Sequence, residues 1–211
     1  QALDFNLKKG FEYFELDFSF TKDKKLVCMH DFKEHLKIMT GYTAEETPTL
    51  SEFASIMRKY CKYDVCTLDS LAEWMARNPS AVIVTDVKDN DNIEALEMIS
   101  KKLPDHKNRV IPQIYNPEDY ARAKSLGYKQ IIWTLYRYAG SDADILRNAK
   151  TFRGPFAITM PKDRAKAGLS EKLAELHIPV YVHTVNSGNE AAEFFDKYKV
   201  SEVYTDFLSP E

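Results

Sequence analysis

No apolar run in the 211-residue chain approaches the roughly 20 residues that carry a helix across a bilayer. Nor is there an excess of basic charge. The 29 Lys and Arg are outnumbered by 32 Asp and Glu, giving a net charge of −3. The lysines are spread along the chain without a basic stripe, which argues against nucleic-acid partners and against a helix lying on a membrane surface. Cysteine is scarce: Cys28, Cys61 and Cys66. An odd count, with Cys28 inside an apolar strand, argues against a disulfide framework. Cys61 and Cys66 are a weak metal or redox hint beside the plainer reading of two half-buried small residues. Compartment, cytoplasmic or extracytoplasmic, and oligomeric state stay open. What is present, 44% hydrophobic and 29% charged residues, fits one soluble domain spanning 1–211 with a core of its own.

Apolar, β-branched or aromatic runs recur along the chain: "YFELDF", "AVIVTDV", "RVIPQIY", "QIIWTLY", "FAITM", "PVYVHTV" and "EVYTDF". Helical patterns such as "NPEDYARAKSLG", "SDADILRNAK", "GLSEKLAELH" and "NEAAEFFDKY" separate most of them. Asn116, Ser141 and Ser170 are N-cap candidates, and Gly127 closes a helix. Strands alternating with single helices mean parallel βα units. From Val82 onward the units repeat every 20 to 28 residues, an even spacing that favours a barrel over a doubly wound sheet. The 69 residues between Tyr13 and Val82 are the exception. They hold the extra strand "KLVCMHD", an irregular stretch through Thr47-Pro48, and helices near Ser51–Tyr60 and Leu68–Arg77. The expected fold is therefore an α/β TIM (β/α)8 barrel with an insertion after the second strand. Seven core strands are visible, and a helix over Gln1–Lys9 ending at Gly10 comes before any of them. The first strand is accordingly expected upstream of Gln1, leaving strands Tyr13–Phe18 and Glu202–Phe207 to flank a gap with unpaired edges.

Polar residues at the C-terminal ends of parallel barrel strands converge on one mouth. Those ends carry Glu15 and Asp17, Asp86 and Lys88, Gln113, Trp133-Thr134, His183 with Asn186, and Asp206. Glu15 and Asp17 lie two apart and share a face, as do Asp86 and Lys88. Three carboxylates crowded together repel one another unless a cation joins them, and an all-oxygen set suits Mg²⁺ or Ca²⁺. A purely structural salt-bridge network around Lys88 is the competing reading. His30 precedes Asp31 at the same mouth, whereas His35, His106 and His177 sit in hydrophilic or loop contexts expected at the surface.

These residues resemble the glycerophosphodiester phosphodiesterase family. "GFEYFELDFSFTKDKKLVCMHD" is similar to its strand with Gly and, three or four residues on, Glu-x-Asp, its Thr-x-Asp segment and its apolar strand ending in His-Asp. "IVTDVKD" resembles its acidic-x-Lys strand, "HTVN" its aromatic-Thr-x-Asn strand and "VYTDFLSP" its terminal Thr-Asp segment. The resemblance implies a metal-dependent barrel hydrolase of lipid metabolism, cleaving small-molecule glycerophosphodiesters to glycerol 3-phosphate and an alcohol. It implies Glu15, Asp17 and Asp86 as metal ligands, His30 as general acid/base and Lys88 as a catalytic phosphate contact. Gln113, Trp133 and His183 would complete the substrate site. The sequence departs from the family pattern in four ways. It lacks the Glu-Asn pair that usually precedes the first helix, it has no His-Arg-Gly segment, it has Asp86 where Glu is usual, and it has His183 where an aromatic is usual.

Two rivals remain. A lysine at a barrel strand end can be a Schiff-base aldolase nucleophile, a role open to Lys88 but opposed by its acidic neighbours, since imine formation needs a neutral amine. Alternatively, the barrel is catalytically impaired and binds a phosphorylated ligand.

Overall fold

The structure, a computed structural model, describes residues 2–210. In chain order the elements are α1 (Ala2–Lys8), β1 (Tyr13–Phe20), β2 (Leu26–Cys28), α2 (Glu34–Thr40), α3 (Leu50–Tyr60), α4 (Leu68–Arg77), β3 (Val82–Val87), α5 (Asn92–Lys102) and α6 (His106–Arg109). There follow β4 (Val110–Ile114), α7 (Asp119–Ser125), β5 (Ile131–Thr134), α8 (Asp142–Ala149), β6 (Phe156–Pro161), α9 (Lys162–Arg164), a π-helical turn (Ala165–Leu169), α10 (Ser170–Glu175), β7 (Val180–His183), α11 (Gly188–Tyr198) and β8 (Glu202–Val203). They form two compact units, Glu12–Val110, and Gln1–Phe11 with Ile111–Glu211.

In the unit Glu12–Val110, β1 and β3 run parallel, with Glu15 opposite Val84 and Asp17 opposite Asp86. The alternation of β1 sends Phe14, Phe18 and Phe20 into the core, where Phe14 meets the edge of Trp74 from α4 at 5.6 Å. Glu15, Asp17 and Ser19 therefore line the opposite face. The edge of β1 away from β3 pairs antiparallel with β2, from Phe18–Cys28 to Phe20–Leu26. The expectation that this edge is bare is corrected over those residues. Helices α3 and α4 start on capping boxes, Thr49 with Glu52 and Thr67 with Ser70, which satisfy the orphan N–H groups of their first turns.

The segment between β2 and α4 builds a small core of Val27, Met29, Phe32, Leu36, Phe53 and Met57. It contains α2, which the sequence pattern did not suggest. Only Leu36 of that helix is buried, too little periodicity for seven residues to announce themselves. A second correction concerns the cysteines. Cys28 and Cys66 are joined in a disulfide, with Cα atoms 5.3 Å apart, and Cys61 is the free thiol. The pairing follows from β2 lying against the residues before α4, where the Cys28 N–H donates to the Cys66 carbonyl at 2.9 Å.

In the other unit, β4, β5, β6, β7 and β8 pair in sequence, all parallel. Connections through α7, α8, the 162–175 helical segment and α11 make these the repeating βα units expected. Ser141 caps α8 as expected, with Asp144 completing a capping box. Asn116 and Ser170 do not cap: α7 begins after Glu118, and buried Ser170 follows the π turn, its hydroxyl donating to the Ala165 carbonyl. The last strand is shorter than expected. Beyond Val203 the Asn186 side chain takes over the pairing, accepting from the Asp206 N–H at 2.8 Å and from the Thr205 hydroxyl at 3.1 Å. Helix α1 covers Ala2–Lys8, and Gly10 follows it at φ +95, a conformation that favours glycine. Gln1 lies outside the described residues.

Candidate active site

Three carboxylates meet on the polar face of β1 and β3. One ligand oxygen each from Glu15, Asp17 and Asp86 can be chosen so that all lie within 4.8 Å of one another. The parallel register places Asp17 beside Asp86, and the two-residue strand period puts Glu15 on the same face as Asp17. Asp86 is buried, Asp17 half-buried and Glu15 exposed. Desolvation by surrounding packing, then the charges of Asp17 and Asp86 and a hydrogen bond with Asp17, push Glu15 from 4.5 up to about 8, against the pull of Lys88. Because Glu15 is the open member by accessible area, its rise rests on neighbouring charge as well as on packing.

Lys88 reaches into this cluster. Its Nζ lies 2.7 Å from Asp17 Oδ1 and 2.6 Å from Asp86 Oδ2, with 17% of the side chain exposed. Burial alone would lower the Lys88 pKa, but hydrogen bonds to both carboxylates, and their charge, outweigh it and raise the pKa above the ordinary lysine value. The ammonium stays charged and acts as the cluster's internal cation. The remaining donors are hard oxygens from three carboxylates, a set whose chemistry fits a divalent Mg²⁺- or Ca²⁺-type ion. The site is a candidate divalent-cation centre.

His30 follows β2 and is tied to the same strand. The Met29 N–H donates to the Asp17 carbonyl at 3.0 Å, and the Ser19 hydroxyl donates to the His30 carbonyl at 3.0 Å. The His30 ring is held through Nδ1, 3.0 Å from Asp31 Oδ2. Asp31 is fixed in turn, its Oδ1 accepting from the backbone N–H groups of Lys33, Glu34 and His35 at 2.8, 2.7 and 3.3 Å. Burial raises the Asp31 pKa, but the hydrogen bonds from His30, His35 and this backbone outweigh it and hold the carboxyl well below the usual range.

His35, expected to be an ordinary surface residue, is part of this group. Its Nδ1 lies 2.6 Å from the same Asp31 Oδ2, and its ring stacks on His30 with centroids 3.9 Å apart. The spacing His30-Asp31-x3-His35 was a readable signal, since it needs only one helical turn after Asp31 to bring the second imidazole back.

The other expected residues belong to the second unit. Gln113 is buried on β4. Trp133 is fully buried on β5, its Nε1 donating to the Tyr115 carbonyl at 3.3 Å and its ring packed against Tyr138 and Phe152. His183 ends β7, with Nδ1 3.1 Å from the Thr159 hydroxyl and its ring edge-on to Tyr136 and Tyr204.

No curated protein of related sequence was found. Solved structures do match. A glycerophosphodiester phosphodiesterase from Thermotoga maritima is 20% identical with a TM-score of 0.71, covering 95% of this chain and 84% of that one. One from Parabacteroides distasonis is 15% identical with a TM-score of 0.69, covering 97% and 83%. A phosphodiesterase from Oleispira antarctica, solved with the product sn-glycerol-3-phosphate, is 13% identical with a TM-score of 0.70, covering 98% and 86%. At these identities the likeness shows the fold, a TIM-like α/β architecture. The sequence model of the glycerophosphoryl diester phosphodiesterase family matches residues 1–209. With nearly its whole length matched, the chain belongs to that family of phosphoric diester hydrolases.

Proposed function

We propose that this protein hydrolyses glycerophosphodiesters to glycerol 3-phosphate and an alcohol, with Glu15, Asp17 and Asp86 holding a divalent cation, Mg²⁺ or Ca²⁺. The observation that carries the reading is the convergence of those three carboxylates beside a carboxylate-held histidine, in a chain matched to this family over 1–209. The Oleispira relative's glycerol 3-phosphate supports the choice of product. When bound, the cation would supply Lewis-acid stabilisation of charge on the phosphoryl oxygens.

The protein's own residues would do the rest. Asp31 engages Nδ1 of His30 and so leaves Nε2 as the nitrogen that passes a proton to the departing alkoxide. Lys88, kept charged by Asp17 and Asp86, contributes positive charge at the phosphate position. Gln113 and His183 are proposed to contact substrate, and Trp133 to support them from within the core. Lys88 is a poor imine former for the same reason that it is a good electrostatic contact: two carboxylates hold it protonated.

The test is hydrolysis of glycerophosphocholine, -ethanolamine, -inositol and -glycerol by the full chain with Mg²⁺ or Ca²⁺. Glu15→Gln and Asp17→Asn are expected to abolish turnover without unfolding the protein. His30→Ala should lower kcat by about 10²–10⁴ with little change in KM. Binding of a glycerophosphodiester without hydrolysis, at saturating cation, would replace this reading with that of a phosphate-ligand-binding protein.

A further inference from the structure

The His30–Asp31–His35 group contains more than the positioning of one imidazole requires. A single carboxylate–histidine pair fixes a ring and its tautomer. Here two rings, stacked at 3.9 Å, aim their Nδ1 atoms at one oxygen, Asp31 Oδ2, at 3.0 and 2.6 Å. The opposite oxygen of Asp31 is held by three backbone N–H groups, so the donor oxygen cannot swing away freely. Side-chain exposures of 41%, 34% and 45% for His30, Asp31 and His35 leave the group open to solvent.

We propose that His30 Nδ1, His35 Nδ1 and Asp31 Oδ2 form a second metal site, separate from the carboxylate cluster and selective for a borderline transition-metal ion such as Zn²⁺ or Co²⁺. Two imidazoles and one carboxylate are a common donor set for these ions, and water would complete the coordination. Tetrahedral ligands at ~2.0–2.1 Å from zinc lie about 3.3 Å apart, so binding would part the two rings from their 3.9 Å stacking and open the 2.6 and 3.0 Å contacts with Oδ2. The three donor atoms already lie within 4.8 Å of one another. The backbone N–H groups on Oδ1 supply the outer hydrogen bonds that orient a ligating carboxylate. Binding forms one metal bond to each nitrogen and one to Oδ2, and displaces to solvent any proton carried on either Nδ1. Nitrogen donors disfavour Mg²⁺ and Ca²⁺, so the two sites differ in the ions they accept.

A consequence rests on the proposed hydrolytic role of His30. With Nδ1 on a metal, the ring no longer cycles a proton at Nε2, and the second ion inhibits turnover. Zinc would then be an inhibitor of an enzyme that needs a harder cation.

The experiment titrates the full chain, stripped with EDTA and dialysed into excess Mg²⁺, with Co²⁺ while following the visible absorption of nitrogen-ligated Co²⁺. One equivalent that Zn²⁺ displaces is expected. His35→Ala should weaken that binding by at least about 10–100-fold, His35→Gln likewise, with circular dichroism showing both folded. Glu15→Gln should retain the Co²⁺ signal. A signal that is missing, that survives in both folded His35 variants, or that vanishes in Glu15→Gln alone would overturn the site. In the activity arm, Zn²⁺ should inhibit hydrolysis at saturating Mg²⁺, and His35→Ala should relieve the inhibition. Failure of the hydrolytic reading would show as absent turnover with the Co²⁺ signal intact. Failure of the second site would show as turnover without a His35-dependent Co²⁺ signal.

Discussion

Replacing Lys88 by methionine removes the cation from between Asp17 and Asp86 while keeping most of the side chain's volume. Each contact, at 2.7 and 2.6 Å, is worth roughly 6 kcal/mol gross at an effective dielectric of about 20. Most of that is offset by the cost of taking the ammonium out of water. Breaking a buried pair by deleting one partner costs about 3–5 kcal/mol, because the surviving charge is left uncompensated. Asp86 is only 9% exposed, but Asp17 at 30% is partly screened, so the lower end, about 3 kcal/mol, applies. For a chain of this size that is a fall of about 6–12 °C in Tm. Thermal unfolding in EDTA at pH 9 to 9.5, above the value of about 8 to which Glu15 is raised, measures it under conditions in which protonating the carboxylates is costly. Mg²⁺ or Ca²⁺ should then stabilise Lys88→Met more than wild type, since a divalent ion replaces the missing charge. Equal Tm values in EDTA would refute the internal-cation role. An equal cation response would refute the idea that lysine and metal neutralise the same carboxylates.

Two further outcomes follow from the geometry. Glu15 is raised to about 8 in the folded protein from 4.5, so between these values the folded chain binds more protons than the unfolded one. Its contribution therefore makes metal-free stability fall as pH rises from about 4.5 to 8, a slope that Glu15→Gln or saturating divalent cation should flatten; a Tm–pH profile identical in Glu15→Gln would count against it. Alkylation of the unfolded, unreduced chain should label Cys61 alone, with Cys28 and Cys66 labelled only after reduction. Mass spectrometry showing three reactive thiols before reduction would remove the disulfide.

Much of this arrangement could be read from the chain. The alternation Phe14, Glu15, Leu16, Asp17, Phe18 has a period of two, and only a strand with one polar face satisfies it. Asp86 and Lys88 repeat that parity, which places four charged groups on one surface before any contact is known. Thr49 and Thr67 precede residues able to close capping boxes, and both helices begin there. What escaped was set by tertiary contact. The seven residues of α2 are held by Leu36 packing among residues such as Phe53 and Met57 of α3, partners far along the chain. The Cys28–Cys66 bond depends on β2 meeting a loop 38 residues later, and parity carries no information about such a meeting. Ser170 looked like a cap because its residue type favours one, yet it follows a kink at Gly168, at φ +98, and its hydroxyl turns inward to the Ala165 carbonyl. His35 lies at the surface as its hydrophilic context suggested, and what that context did not announce is its contact with Asp31, the carboxylate four residues earlier.

Phosphorus-31 NMR of glycerophosphocholine incubated with the full chain reports the bond that breaks, and so tests the central claim most directly. With Mg²⁺ or Ca²⁺ present, the diester resonance should disappear and that of glycerol 3-phosphate should replace it, with EDTA halting the conversion. Release of phosphocholine instead, unchanged conversion in EDTA, or a diester signal that persists with both cations and with each of the other head groups would contradict it.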